Sequence, residues 1–357
     1  MPAAPQQSAQ PYDAVLIVSF GGPEKHEDVL PFLEYVLRGK NVPRERLLEV
    51  AEHYYHFDGK SPINDHNREL LSLLEKQLAA NGPHLPVYWG NRNWHPFLAD
   101  TLRRMAGDGI GRALAFVTSA YGSYSSCRQY LDDIEQARQQ AGERAPVIDK
   151  IRSYYNHAGF IEPMAENVTA ALNQFAKESR LSVELVYTAH SIPISMANTS
   201  KYVAQLEQAA QLVSERVGCK KTRLVFQSRS GPPSQPWLEP DICDYLRELA
   251  RSGAGRNVVV VPIGFLSDHI EVLFDLDIQA SEVARQVGVN MARAATVGVH
   301  PRFIEMIREL IVERVDGLEE RPALGSLGAE PDFCSADCCP LPQRPAMTGQ
   351  PQTARPK

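Results

Sequence analysis

Short apolar runs rich in β-branched residues alternate with longer amphipathic stretches, and this alternation constrains the fold more than any other feature of the chain. The runs fall at 14–20, 86–89, 113–118, 183–187, 223–226 and 258–262, with helical spacing of apolar side chains at 27–37, 67–79, 161–175, 204–217 and 240–251. Strands this short and uniformly apolar need cover on both faces, and the intervening helices supply it. The pattern predicts an α/β fold of parallel sheets flanked by helices. Ligands of such folds bind beyond the carboxyl ends of the strands. Segments that directly follow each run are therefore the ones to search for chemistry.

An internal echo divides the chain. AVLIVSFGGP at 14–23 and LVYTAHSIP at 185–193 are both apolar strands that break into a turn ending in proline. The reading is two Rossmann-like lobes at 12–156 and 157–316, a flexible N-terminus at 1–11 and a cysteine-containing tail at 317–357. The tail is rich in Pro, Gly and small polar residues without periodicity, so it is expected to be flexible unless something clamps it. No GxGxxG follows the first strand and no GxxxxGK[ST] occurs, which argues against dehydrogenase or NTPase chemistry.

A chain of 357 residues suffices for two ordinary domains, and its 43% hydrophobic and 22% charged residues are those of a soluble globular protein. A net charge of -6 offers no attraction for nucleic acid or an anionic membrane. No apolar run reaches the roughly 18 residues of a membrane span. The first residues show neither a basic nor an apolar leader segment, so a cytoplasmic protein is expected. The six cysteines are too few for a disulfide scaffold, yet Cys334, Cys338 and Cys339 crowd together while Cys127, Cys219 and Cys243 are scattered.

Four segments could carry chemistry. His190 follows a strand, where it serves as metal ligand, proton acceptor or merely a hydrogen-bonded turn residue. Asp268, Glu271 and Asp275 stand at i, i+3 and i+7, one face of a helix that Ser267 or Asp268 would cap; carboxylate rows suit divalent cations, although the helix dipole also favours acids there. The proline-rich segment around Trp237 makes a stiff wall for a flat ligand or an ordinary rigid loop. Tyr121, Tyr124, Cys127 and Tyr130 follow the third strand and either meet a ligand or pack. Cys219 and Cys243 are expected to be buried packing residues.

Taken together, these segments resemble the ferrochelatase family from about Tyr12 to Val315. The resemblance rests on SFGGP (19–23), GKSPIN (59–64), TAHSIP (188–193), QSR (227–229) with PWL (236–238), and DHIE (268–271), in matching order and spacing. SSCRQY (125–130) and GNRNW (90–94) look most like the actinobacterial branch. It implies two chelatase-type lobes and insertion of ferrous iron into coproporphyrin III rather than protoporphyrin IX. His190 and Glu271 would bind iron, His190 also taking pyrrole protons, and Asp268 and Asp275 would extend the metal path. Ser61, Tyr130 and Trp237 would contact the porphyrin, with Arg38 a partner for a propionate. Phe20 stands where many relatives have tyrosine, which passes the opposite face of the iron to Tyr124. Gln279 interrupts the acidic row seen in some relatives.

The chemistry suits these residue types. A free-base porphyrin loses two protons and accepts a cation, so a near-neutral base is needed. Remote contacts can offset the strain of buckling the ring. The resemblance further implies a [2Fe–2S] cluster on Cys127, Cys334, Cys338 and Cys339, although adjacent cysteines are awkward partners; a zinc site or free thiols are the alternatives. Transient contact with neighbouring haem-pathway enzymes is a further implication. The rival readings are a chelatase for another metal or tetrapyrrole and a non-catalytic haem-binding protein.

Overall fold

The computed structural model describes residues 11–341 apart from 41, 233, 254, 255 and 336. Two four-stranded parallel sheets carry the fold. The first takes β1 (Ala14–Ser19), β2 (Val87–Asn91), β3 (Arg112–Val117) and β4 (Val147–Lys150) in the order β2-β1-β3-β4; the second takes β5 (Glu184–His190), β6 (Thr222–Gln227), β7 (Asn257–Val261) and β8 (Asn290–Arg293) in the order β6-β5-β7-β8. The echo between 14–23 and 185–193 is therefore topological. β1 and β5 hold the same place in identical sheets, and each is the strand from which the chain first goes one way and then the other.

Helices follow the strands as a parallel sheet requires. The first lobe has α1 (Val29–Val36), α2 (Arg44–Tyr55), α3 (Ile63–Asn81), α4 (Leu98–Gly107) and α5 (Gln129–Ala141). The second has α6 (Ala158–Leu172), α7 (Ile194–Ala197), α8 (Tyr202–Val217), α9 (Ile242–Ser252), α10 (Ile270–Val272), α11 (Ser281–Val287) and α12 (Pro301–Val315). Two π-helical turns, Tyr124–Arg128 and Leu273–Ala280, precede α5 and α11. Val15, Ile17, Leu70 and Phe116 of the first lobe share one buried cluster with Leu185, Val259, Phe160 and Ile307. The lobes are thus bound by continuous apolar packing, with α12 lying against both α3 and α6.

The tail is clamped. Arg152 and Glu313 form a buried ion pair (Nε–Oε1 2.7 Å, Nη2–Oε2 3.0 Å), and Arg152 also donates to the Pro322 carbonyl. The Asn156 carbonyl accepts from the Leu324 amide and its side-chain amide donates to the Leu324 and Gly328 carbonyls, Lys201 and Gln205 hold Glu330, and Arg321 and Arg314 hold Asp332. The tail 317–357 is expected to be flexible unless clamped; through residue 332 these partners are such a clamp, and 342–357 lie outside the described residues. Cys219 and Cys243 are half-buried rather than core residues.

Candidate active site

His190 ends β5, where the strand order reverses, the place at which open parallel sheets bind their ligands. Its Nδ1 lies 2.5 Å from the Ser191 carbonyl oxygen. A carbonyl only accepts, so Nδ1 carries the proton and a neutral ring leaves Nε2 free as base or ligand. That Nε2 is 3.8 Å from Glu271 Oε2, and both side chains are partly exposed. Tyr202 donates to the His190 carbonyl at 3.0 Å and fixes the strand end. Behind it, Gly264 is held so close that a Cβ there would lie 2.6 Å from that of Ala189, so the loop bearing Glu271 passes only because position 264 lacks a side chain.

Glu271 and Asp275 come from one element. His269 is extended and its Nδ1 accepts from the Glu271 amide at 3.1 Å, so the helix is capped by His269 and not by Ser267 or Asp268. Burial lowers the His269 pKa and keeps the cap neutral. The helix then widens to π geometry at Leu273. Asp275 faces Glu271, receives hydrogen bonds from Ser228 and from Gln227 (3.4 Å), and burial raises its carboxyl to about 7. Asp268 departs from the expected row. It precedes the helix and pairs with Arg293 through both oxygens at 3.2 Å, alongside Asp277. The i, i+3, i+7 spacing assumed a regular α-helix from Asp268, and the cap at His269 removes that premise.

Three residues of the opposite lobe meet this face. His53 of α2 stacks on Phe274 with ring centroids 3.7 Å apart, and its pKa is lowered, first by burial. The Tyr54 phenol is pushed up by burial and then by the Glu271 and Asp275 carboxylates. After β3, Tyr121 donates to the Ile263 carbonyl at 2.9 Å. Loops from the carboxyl ends of both sheets therefore converge. His53 and Tyr54 escaped the sequence reading because they sit in the last turn of α2, away from the segments that follow apolar runs; the run of five rings at 53–57 was the available signal.

The remaining candidates divide between the two lobes. Ser61 is buried, with Gly22 against it. Tyr130 is buried under the Arg92 guanidinium, 4.2 Å from its ring. Arg92 pairs with Asp133, and Arg38, stacked 3.8 Å over Tyr35, shares with them a cavity of about 200 Å³ also lined by Arg103. Burial, Arg92 and Arg38 lower Lys40 and Asp133 opposes them, so cations gather at this edge although Arg92 and Arg103 are paired with Asp133 and Asp100. The Tyr124 hydroxyl bonds to Asp132, and burial raises its pKa. Trp237 is buried, bridged to Pro193, with its indole N–H unpartnered. A larger concavity of about 720 Å³ lies between α8 and β6 and contains neither His190 nor Glu271.

The four candidate cluster cysteines come together. Cys127 donates to Cys334, Cys334 contacts Cys338, and Cys338 and Cys339 have sulfurs 3.7 Å apart. The backbone of Cys339 is left-handed (φ 52°). The Cys127 bond lowers the Cys334 thiol, while burial raises Cys339. Among the described residues, no three His, Cys, Asp or Glu side chains are gathered around the position of a single ion.

Paired four-stranded parallel sheets, with an imidazole, a carboxylate and a second acid near the end of β5, make up a two-lobed fold of the chelatase type. SirB from Bacillus subtilis, solved with Fe3+, shares the fold: TM-score 0.51 at 12% identity, covering 85% of this chain and 97% of that one. A family model described as Ferrochelatase matches residues 12–315. The protein named Ferrochelatase from Rhodopirellula baltica is 54% identical, covering 95% of this chain and 97% of its own length. The Coproporphyrin III ferrochelatase of Streptomyces coelicolor is 50% identical, covering 96% and 97%. This chain belongs to the ferrochelatase family. Among the described residues no helix is long and apolar enough to cross a membrane.

Proposed function

We propose that this chain inserts ferrous iron into coproporphyrin III at the His190–Glu271 pair. The observation that carries the reading is the fixed imidazole: Nδ1 is tied to the Ser191 carbonyl while Nε2 stands open 3.8 Å from Glu271. Nε2 accepts a pyrrole proton, and Glu271 supplies the negative charge that draws the incoming cation. Asp275, one step further along the π-helix, extends the cation path. Asp268 is neutralised by Arg293 and serves to hold the loop instead.

A porphyrin with four carboxylates suits the cationic edge of Arg38, Lys40, Arg92 and Arg103, and the Streptomyces relative bears the name of that substrate. Ser61, Tyr130 and Trp237 would contact the porphyrin, and Tyr124 would approach the iron from the face opposite His190. A steady-state comparison of coproporphyrin III with protoporphyrin IX, each with ferrous iron, tests the assignment. Preference for protoporphyrin IX overturns the substrate; failure with both overturns the activity.

For Cys127, Cys334, Cys338 and Cys339 the proposed occupant is a [2Fe–2S] cluster. The fit rests on four thiols in a contact chain; two irons accommodate a wider sulfur set than one ion does. When bound, such a cluster staples the tail to the π-turn before α5. Thiols must stay reduced for this, which fits a cytoplasmic setting. Anaerobically purified protein should show iron–sulfur charge-transfer bands, and a colourless, iron-free preparation removes the cluster.

A further inference from the structure

One residue outside the acid–imidazole set touches every part of it. Gln227 ends β6 directly opposite His190 in the sheet register, and only 1% of it is exposed. Its backbone carbonyl accepts from the Ser191 amide at 2.7 Å, which ties down the residue that orients the His190 ring. Its side-chain Nε2 donates to the Glu271 carbonyl at 2.9 Å and to Asp275 Oδ2 at 3.4 Å. Those acceptors flank the step at which an α-turn, Ile270–Val272, opens into the π-helix Leu273–Ala280. A widened turn displaces its carbonyls from ordinary helical partners, and a donor from outside can hold one of them.

The second observation is what the amide gives up. Gln227 Oε1 is buried without a hydrogen-bond partner. Reversing the amide would set that oxygen against two acceptors, so the observed orientation serves the donation. A side chain present only to fill space would be as well supplied by an apolar residue of the same length. Ser228, at φ 61°, adds a second donor to Asp275 from the same strand end.

We infer that Gln227 is a positioning residue for iron insertion, a rigid link that holds the start of the π-helix and so sets Glu271 and Asp275 against His190. Its side chain is buried and its donors are spent on Glu271 and Asp275, so its loss is expected to act on the metal side of the reaction. The inference rests on the proposed roles of His190 and Glu271.

The test compares Gln227→Met, Gln227→Glu and Ser228→Gly with the wild type in the full-length protein. Gln227→Met keeps length without the donor, and is expected to lower kcat/KM for ferrous iron about tenfold while the porphyrin Kd, read by fluorescence quenching, changes by less than about twofold. Gln227→Glu presents an acceptor to two acceptors and loses more than Gln227→Met. Amide hydrogen exchange across 271–280 rises in both. Unchanged iron kinetics in Gln227→Met, or porphyrin affinity falling in proportion, overturns the inference. Should Gln227→Met not fold, Ser228→Gly decides, since glycine suits that backbone: a loss of about threefold for iron supports the link and no loss refutes it. Wild-type inactivity with iron and porphyrin would defeat the functional reading, whereas unchanged exchange across 271–280 in the variants would defeat the link.

Discussion

At His190 a single hydrogen bond decides what the ring can do. With Nδ1 committed to Ser191, a neutral imidazole has its lone pair on Nε2, which faces Glu271. His190→Ala is therefore expected to cut turnover by about 100-fold or more while porphyrin binding, followed by fluorescence, is largely kept. Retained turnover would remove His190 from the mechanism. The acids separate in the same way. Asp275→Asn should raise the KM for ferrous iron about fivefold at pH 8, where a carboxyl raised to about 7 is ionised, because it removes charge beside Glu271. Asp268→Asn should leave that KM in place and lower stability by about 1–2 kcal/mol, because it leaves Arg293 with Asp277 as its one carboxylate partner. Equal effects on iron kinetics would mean that Asp268 belongs to the path. His190 and Glu271 were legible in the sequence because both follow apolar runs, where the crevice of a parallel sheet must lie. The partition of the acids was not legible. It depends on Arg293, on a different strand, and on a cap that the residue types at 267–268 did not indicate.

Among the elements, the central strands announced themselves and the edges did not. β4 and β8, four residues each, include Asp149, Lys150, Asn290 and Arg293, and too few apolar side chains to register as strands. The helical stretches were legible where an apolar stripe met a core; the π-turns were not, since widening by one residue leaves composition unchanged. The start of α6 shows how one cap couples a helix to pH. His157, almost fully buried, accepts the Gly159 amide at Nδ1, and burial with Arg152 and Arg302 lowers its pKa to about 4. The unfolded chain binds this proton near 6.5 and the folded one resists it, so stability is full above about 6.5 and declines as pH falls toward 4, by up to roughly 3 kcal/mol. His157→Asn keeps an N-cap acceptor without the titration. Urea unfolding at pH 7 and pH 5 should show a smaller acid loss in the variant. An identical loss would place the acid sensitivity elsewhere.

For the molecule as a whole, the tail is the part whose attachment could have two independent causes. A cluster would fasten it at Cys334, Cys338 and Cys339, but residues 322–332 meet the body through Arg152, Asn156, Lys201, Gln205 and Arg314, which come from both lobes. The pair at the centre of this dock, Arg152 with Glu313, is almost entirely buried. Burying such a pair adds little net stability, but breaking it strands a charge and costs about 3–5 kcal/mol. The ionic dock and the thiol set should therefore fail separately. Cys334→Ser should abolish any iron–sulfur absorption while hydrogen exchange across 322–332 stays at the wild-type rate. Glu313→Gln should lower the unfolding free energy by roughly the cost of an unpaired Arg152 and speed exchange across 322–332, because Pro322 is held by the same guanidinium. If Cys334→Ser alone frees 322–332, the cysteines hold the tail and the ion pairs merely follow it into place.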